Sequence, residues 1–193
     1  MKIIMIKTLP YGYKAAKVIT VKDVLWGWLV VLGGAIFIVG MVLFIMSTLA
    51  LRELLLPLPP ICVLAFALQS IAALMLHEGI HGLCIKVLGA KPRFGFVILQ
   101  RSPIWGFYTT APGYFFTRYE FIVIALAPLF ILTLAGLALI GAQPVLLPWI
   151  GPLLVFNASG SVGDIWISLQ TLKQPKRVLV ENCSNIVFYM PDD

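Results

Sequence analysis

The chain contains two histidines, and they stand four residues apart in HEGIH at 77–81. A helix puts residues four apart on the same face. Two imidazoles on one face can hold one Zn²⁺, and Glu78, next to the first, is placed to act as general base on a water that the metal activates. Two histidines scattered at random over this length fall four apart about 1% of the time. With few glutamates available to follow the first, the joint chance is on the order of two in ten thousand for a motif of this type. The alternative is that both histidines are satisfied polar residues between helices.

A catalytic zinc site takes three protein ligands and leaves a fourth position for water. There is no third histidine, so the remaining ligand must be a carboxylate, a cysteine or a similar group. Asp164 lies inside an apolar stretch, where a charge costs roughly 2.5–3.5 kcal/mol on insertion scales, so it is itself a candidate site residue. Glu120 stands at the start of another such stretch. Cys84 competes for the third position, because it shares the helical face of His77 and His81. However, one short helical stretch rarely wraps a tetrahedral ion alone. Asn157, seven residues before Asp164, could donate to a substrate carbonyl or oxyanion. An interhelical hydrogen bond from Asn157 is the equal alternative.

These residues are carried by a very apolar chain. It has 193 residues, 61% hydrophobic and 11% charged, against about 25% charged in soluble domains. The expected fold is all-α and membrane-integral, a single membrane domain over 1–193 with about four transmembrane helices. The spans are expected at 24–51, 60–85, 120–141 and 145–171. Residues 91–119, rich in aromatics, Pro, Gly and Thr, read as a short β or loop segment between spans two and three. Its aromatics suit either an interfacial belt or a strand edge that pairs with an extended substrate. The tail from Lys173 is polar, with a short strand pair expected across VLVENCSNIVFYM. The first apolar run is longer than a signal-peptide core, so no cleavable signal is expected.

The formal charge of +6 does not indicate nucleic acid, because the basic residues flank the apolar runs and form no basic domain. Thirteen of the fourteen fall in the N-terminal segment, between spans two and three, or in the tail; Arg52 is the exception. The positive-inside rule then puts both termini in the cytoplasm. Cys62, Cys84 and Cys183 are odd in number and lack C-x-x-C spacing, so no disulfide framework is implied. Depth links the two candidate segments. His77 lies about 26 Å inward from the start of span two, and Asp164 about 24 Å inward from the start of span four, at 1.5 Å per residue. Both belong to the cytoplasmic third of a core of about 30 Å.

The HEGIHGL block, the basic and Gly/Pro segment at 86–96, the ALAP turn after Arg118 and the block at 157–164 resemble a group of small bacterial membrane proteins classed as putative zincin peptidases. They also resemble, more distantly, the site-2 protease class of intramembrane zinc metalloproteases. The resemblance covers most of 70–170. It implies a zinc metalloendopeptidase of the bacterial cytoplasmic membrane, with membrane lipid and a peptide or membrane-protein substrate as partners. It implies His77, His81 and Asp164 as ligands, Glu78 as base, and Asn157 as the Asn that precedes the ligand Asp. In the site-2 pattern Gly follows the Asp and a Pro lies upstream, whereas here Gly163 precedes Asp164. A metal transporter or sensor, or a non-catalytic zinc-binding membrane protein, is the competing class.

Overall fold

The computed structural model describes residues 6–20, 28–50, 61–98, 105–183 and 185–192. The connection at 52–60 and the basic residues Lys2, Lys22 and Arg101 lie outside them. The elements are β1 (Tyr13–Ile19), α1 (Trp28–Ala50), α2 (Ile61–Val87), β2 (Arg93–Ile98), β3 (Trp105–Thr110) and β4 (Phe115–Thr117). They continue with α3 (Arg118–Ala142), a 3₁₀ turn (Pro144–Leu146), α4 (Leu147–Gly160), α5 (Val162–Leu172), β5 (Leu179–Asn182) and β6 (Ile186–Pro191).

The expected all-α class is therefore corrected to mixed α/β. A four-stranded antiparallel sheet runs in the order β1-β6-β5-β4, and β2 pairs with β3 in a separate two-stranded sheet. The N-terminal segment read only as basic and mixed because its pairing partner is remote: Ile19 pairs with Ile186. A non-local partner leaves no local signature beyond a short alternation.

Among the described residues, three helical stretches are long and apolar enough to cross a membrane: Leu68–Val87, Arg118–Ala142 and Pro144–Leu172. The last is not one straight helix. α4 ends at Gly160, Ser161 caps it, and α5 starts anew at Val162.

The chain divides into two compact units. One comprises Met1–Gly27, Glu78–Ala127 and Gly163–Asp193 and contains both sheets. Its core forms because strand side chains alternate faces. Phe116, Val180 and Phe188 stand opposite one another across β4, β5 and β6, and all three are buried. Ile85, Phe121, Ile124 and Ile167 from the helices complete this cluster. A reciprocal cap starts α3: the Thr117 backbone N–H donates to Glu120 Oε2 at 2.9 Å, and the Glu120 N–H faces Thr117 Oγ1 at 3.4 Å.

The other unit comprises Trp28–His77 and Pro128–Val162 and is helical. Small residues let its helices approach closely. Gly33, Phe37 and Gly40 share one face of α1. A Cβ on Gly33 would stand 3.1 Å from the Ser159 carbonyl, and one on Gly40 would stand 2.8 Å from Val155. Between them, the Phe37 and Phe156 rings meet at 4.9 Å.

Candidate metal centre

Helix α2 carries both motif histidines one turn apart, and both are buried. Asp164 comes from the first turn of α5, where the helix N-terminus favours a carboxylate. The break at Ser161 places a new helix start there. His77, His81 and Asp164 each offer a ligand atom, and these atoms all lie within 4.8 Å of one another. His81 Nε2 stands 3.7 Å from Asp164 Oδ2.

Each imidazole is seated through its other nitrogen. His77 Nδ1 lies 3.0 Å from Asn157 Oδ1, and His81 Nδ1 lies 2.8 Å from the Ile124 carbonyl oxygen. A metal-ligating histidine characteristically donates its second ring N–H in this way, which fixes ring orientation. Asn157 is 2% exposed. Its Nδ2 donates toward the carbonyls of Pro128 (3.2 Å) and Leu129 (3.4 Å), with Thr133 Oγ1 also at 3.4 Å. Its amide is thus spent on helix α3 and His77, which is the interhelical alternative for this residue. The Ser161 hydroxyl donates to the Asn157 carbonyl at 2.7 Å, tying the end of α4 back on itself.

Glu78 is half-buried beside β3. The Thr109 hydroxyl lies 2.7 Å from Glu78 Oε2 and 3.1 Å from the Glu78 carbonyl oxygen, so it holds the carboxylate to the last turns of α2. Thr109 is held in turn by the tail. Asn182 Nδ2 donates to the Thr109 carbonyl at 3.0 Å, and the Ala111 N–H donates to the Asn182 carbonyl at 2.8 Å. The next residues turn at Gly113, whose φ of +76° favours glycine. Glu181 secures that turn, accepting from the Gly113 N–H and from the Tyr189 hydroxyl, both at 2.9 Å. Desolvation first, and then the Glu181 carboxylate, push the Tyr189 phenol up to about 12.

Two imidazoles and one carboxylate form a nitrogen and oxygen donor set that fits zinc at a catalytic site. Cys84 packs against the hydrophobic core and is not part of the ligand group. The family model described as "Putative zincin peptidase" matches residues 70–179, more than half of the chain. The chain belongs to this family. Membership points to a metallopeptidase and to zinc as its metal. No curated protein and no solved structure gives a significant match. The zincin-family segment contains both histidines, Glu78, Thr109, Asn157 and Asp164.

Thr109 carries no motif that would single it out in a sequence; its role comes only from the fold. The Ile124 carbonyl had a readable signal, because Pro128 stands four residues later within an otherwise apolar helix.

Proposed function

We propose that this protein is an intramembrane zinc metalloprotease, akin to the site-2 class, that hydrolyses peptide bonds of membrane-embedded or membrane-proximal substrates. One observation carries the reading. A buried pair of imidazoles and a carboxylate converge beside a held glutamate, on helices apolar enough to lie in a bilayer. Among the described residues this is the one group of His, Cys, Asp and Glu close enough to share an ion, whereas a metal-conducting path would need several.

His77, His81 and Asp164 would hold the zinc. Zinc bound there supplies Lewis acidity, polarising a peptide carbonyl and acidifying water. Glu78 takes the proton of the attacking water and returns it to the leaving amine. Thr109 keeps the Glu78 carboxylate in one place while it does so. Asn157 and the Ile124 carbonyl hold the imidazole planes. Thirteen of fourteen basic residues favour both termini, and hence the site, on the cytoplasmic side.

The test is to reconstitute wild type, Glu78→Gln and Asp164→Ala in lipid vesicles, measure bound zinc, and follow cleavage of hydrophobic peptides. Glu78→Gln should keep zinc and lose about 10²–10⁴-fold in rate. Equal cleavage by wild type and Glu78→Gln would overturn the protease reading. Stoichiometric zinc in Asp164→Ala would remove Asp164 from the ligand set.

A further inference from the structure

We propose that Pro128 is a positioning residue for the metal site, setting the tautomer of His81 through the Ile124 carbonyl, while Asn157 sets that of His77. The inference rests on the metal reading of His77, His81 and Asp164, and it does not depend on proteolysis.

In an α-helix the carbonyl of residue i accepts from the N–H of residue i+4. The Ile124 carbonyl would take the N–H of residue 128. That residue is Pro128, inside α3, and proline has no N–H to give. A buried carbonyl without its donor is costly, so a replacement is expected. His81 Nδ1 supplies it at 2.8 Å. A carbonyl oxygen can only accept, so Nδ1 must carry the proton. Nε2 is then the nitrogen left to ligate, and it is the atom that stands 3.7 Å from Asp164 Oδ2.

The second ring is oriented through main-chain carbonyls of the same turn. Pro128 O and Leu129 O can only accept, so the Asn157 atom facing them is the amide nitrogen. The amide orientation is thereby fixed, and Oδ1 faces His77 Nδ1 at 3.0 Å. Nδ1 of His77 must donate, which leaves Nε2 as its ligand nitrogen. Neutral imidazole in water favours the proton on Nε2. The fold imposes the reverse on both rings, so the two ligand nitrogens are prepared before any metal arrives. A motif spacing alone brings two histidines to one face; Pro128, for His81, and Asn157, for His77, decide which nitrogen each presents.

The presence of just two histidines makes the test clean, since ¹⁵N-histidine labelling reports on these rings alone. The full chain in lipid nanodiscs, stripped of metal, should show both rings protonated at Nδ1. Pro128→Ala restores a backbone N–H at position 128 and improves the local helix, so this variant is expected to fold. Its His81 ring should move toward the Nε2–H form, and zinc affinity measured against a competing chelator should fall about 10–100-fold. Asn157→Leu should shift the His77 ring and leave His81 in place. Wild-type rings without a proton on Nδ1 would overturn the proposal, whatever the variants do. So would Pro128→Ala with an unchanged His81 ring, or with zinc affinity within twofold of wild type. Correct tautomers in a wild type that cleaves no peptide would instead overturn the protease reading and leave this one standing.

Discussion

The helical unit and the sheet-bearing unit each contain one of the two histidines, and they hold it by different means. In the helical unit, Trp28–His77 and Pro128–Val162, the sequence has a single basic and a single acidic residue, Arg52 and Glu53. Its helices meet where glycines admit a neighbouring side chain, and His77 is seated by the buried side chain of Asn157. The other unit has the remaining thirteen basic and seven acidic residues, and both sheets. There His81 is seated by a main-chain carbonyl, and Glu78 by a threonine that the tail sheet fixes. A side-chain seat can be deleted by one substitution. A main-chain seat can be altered only through the backbone, which is why a proline matters to it.

The largest effect should follow from removing a ligand, where the two units become equivalent. His77→Ala and His81→Ala should each lose zinc, read by metal analysis after dialysis against a weak chelator. Retention of full zinc by either would end the equivalence. Thr109→Val should come next. It leaves all ligands in place, so zinc content should stay at one while kcat falls about 10-fold, less than the roughly 10²–10⁴-fold a general base contributes, because only the placing of the base is disturbed. Thr109→Ser keeps a hydroxyl and should restore most of the rate; no rescue would assign Thr109 to packing alone.

Stability should separate the units further. A Cβ at Gly40 meets both Cγ atoms of Val155 at 2.8 and 2.9 Å, and valine is stiff at χ1. Gly40→Ala should therefore cost about 1–3 kcal/mol, as overpacking does, and lower the unfolding midpoint. A Cβ at Gly82 meets the far end of the Phe94 ring, on a side chain that is 62% exposed and can swing away. Gly82→Ala should shift the midpoint less than Gly40→Ala, and the reverse order would contradict the contrast. The smallest effect belongs to Tyr189. Its phenol titrates near 12 in the folded chain against about 10 unfolded. The neutral form is thus favoured by folding, so that contribution is complete below pH 10 and fades as pH rises toward 12. Tyr189→Phe should flatten the stability profile across that window.

The sequence made the apolar helices readable. The apolar runs at 24–51, 60–85 and 120–141 underlie the helices α1, α2 and α3, because long apolar runs are their own signal. Among the described residues three stretches, in α2, α3 and α4–α5, are long and apolar enough to cross a membrane, against the four expected. The stretch expected at 145–171 is α4 and α5, interrupted at Ser161, where Gly160 and Ser161 sit between two helical patterns. The motif spacing and the stray charge at Asp164 named the three residues whose ligand atoms the fold gathers within 4.8 Å. Half of the four-stranded sheet was legible, as the strand pair expected across VLVENCSNIVFYM that forms β5 and β6; β1 was not, because nothing near Lys14 or Val18 announces a partner at Met190 or Val187. Thr109 was hidden for the same reason: its two partners, Glu78 and Asn182, lie on either side of it in sequence and far from it.

The strand order β1-β6-β5-β4 also sets an order of assembly. Contacts between residues far apart in sequence close late, since loop entropy must be lost before they form. The helices of the HEGIH motif can form from local contacts, but β1 and β4 must wait for β6 and β5 to be made. Asn182, in β5, then reaches the Thr109 carbonyl, and only from that point is the hydroxyl beside Glu78 anchored. The general base thus depends for its second anchor on a strand that follows every ligand residue of the centre along the chain.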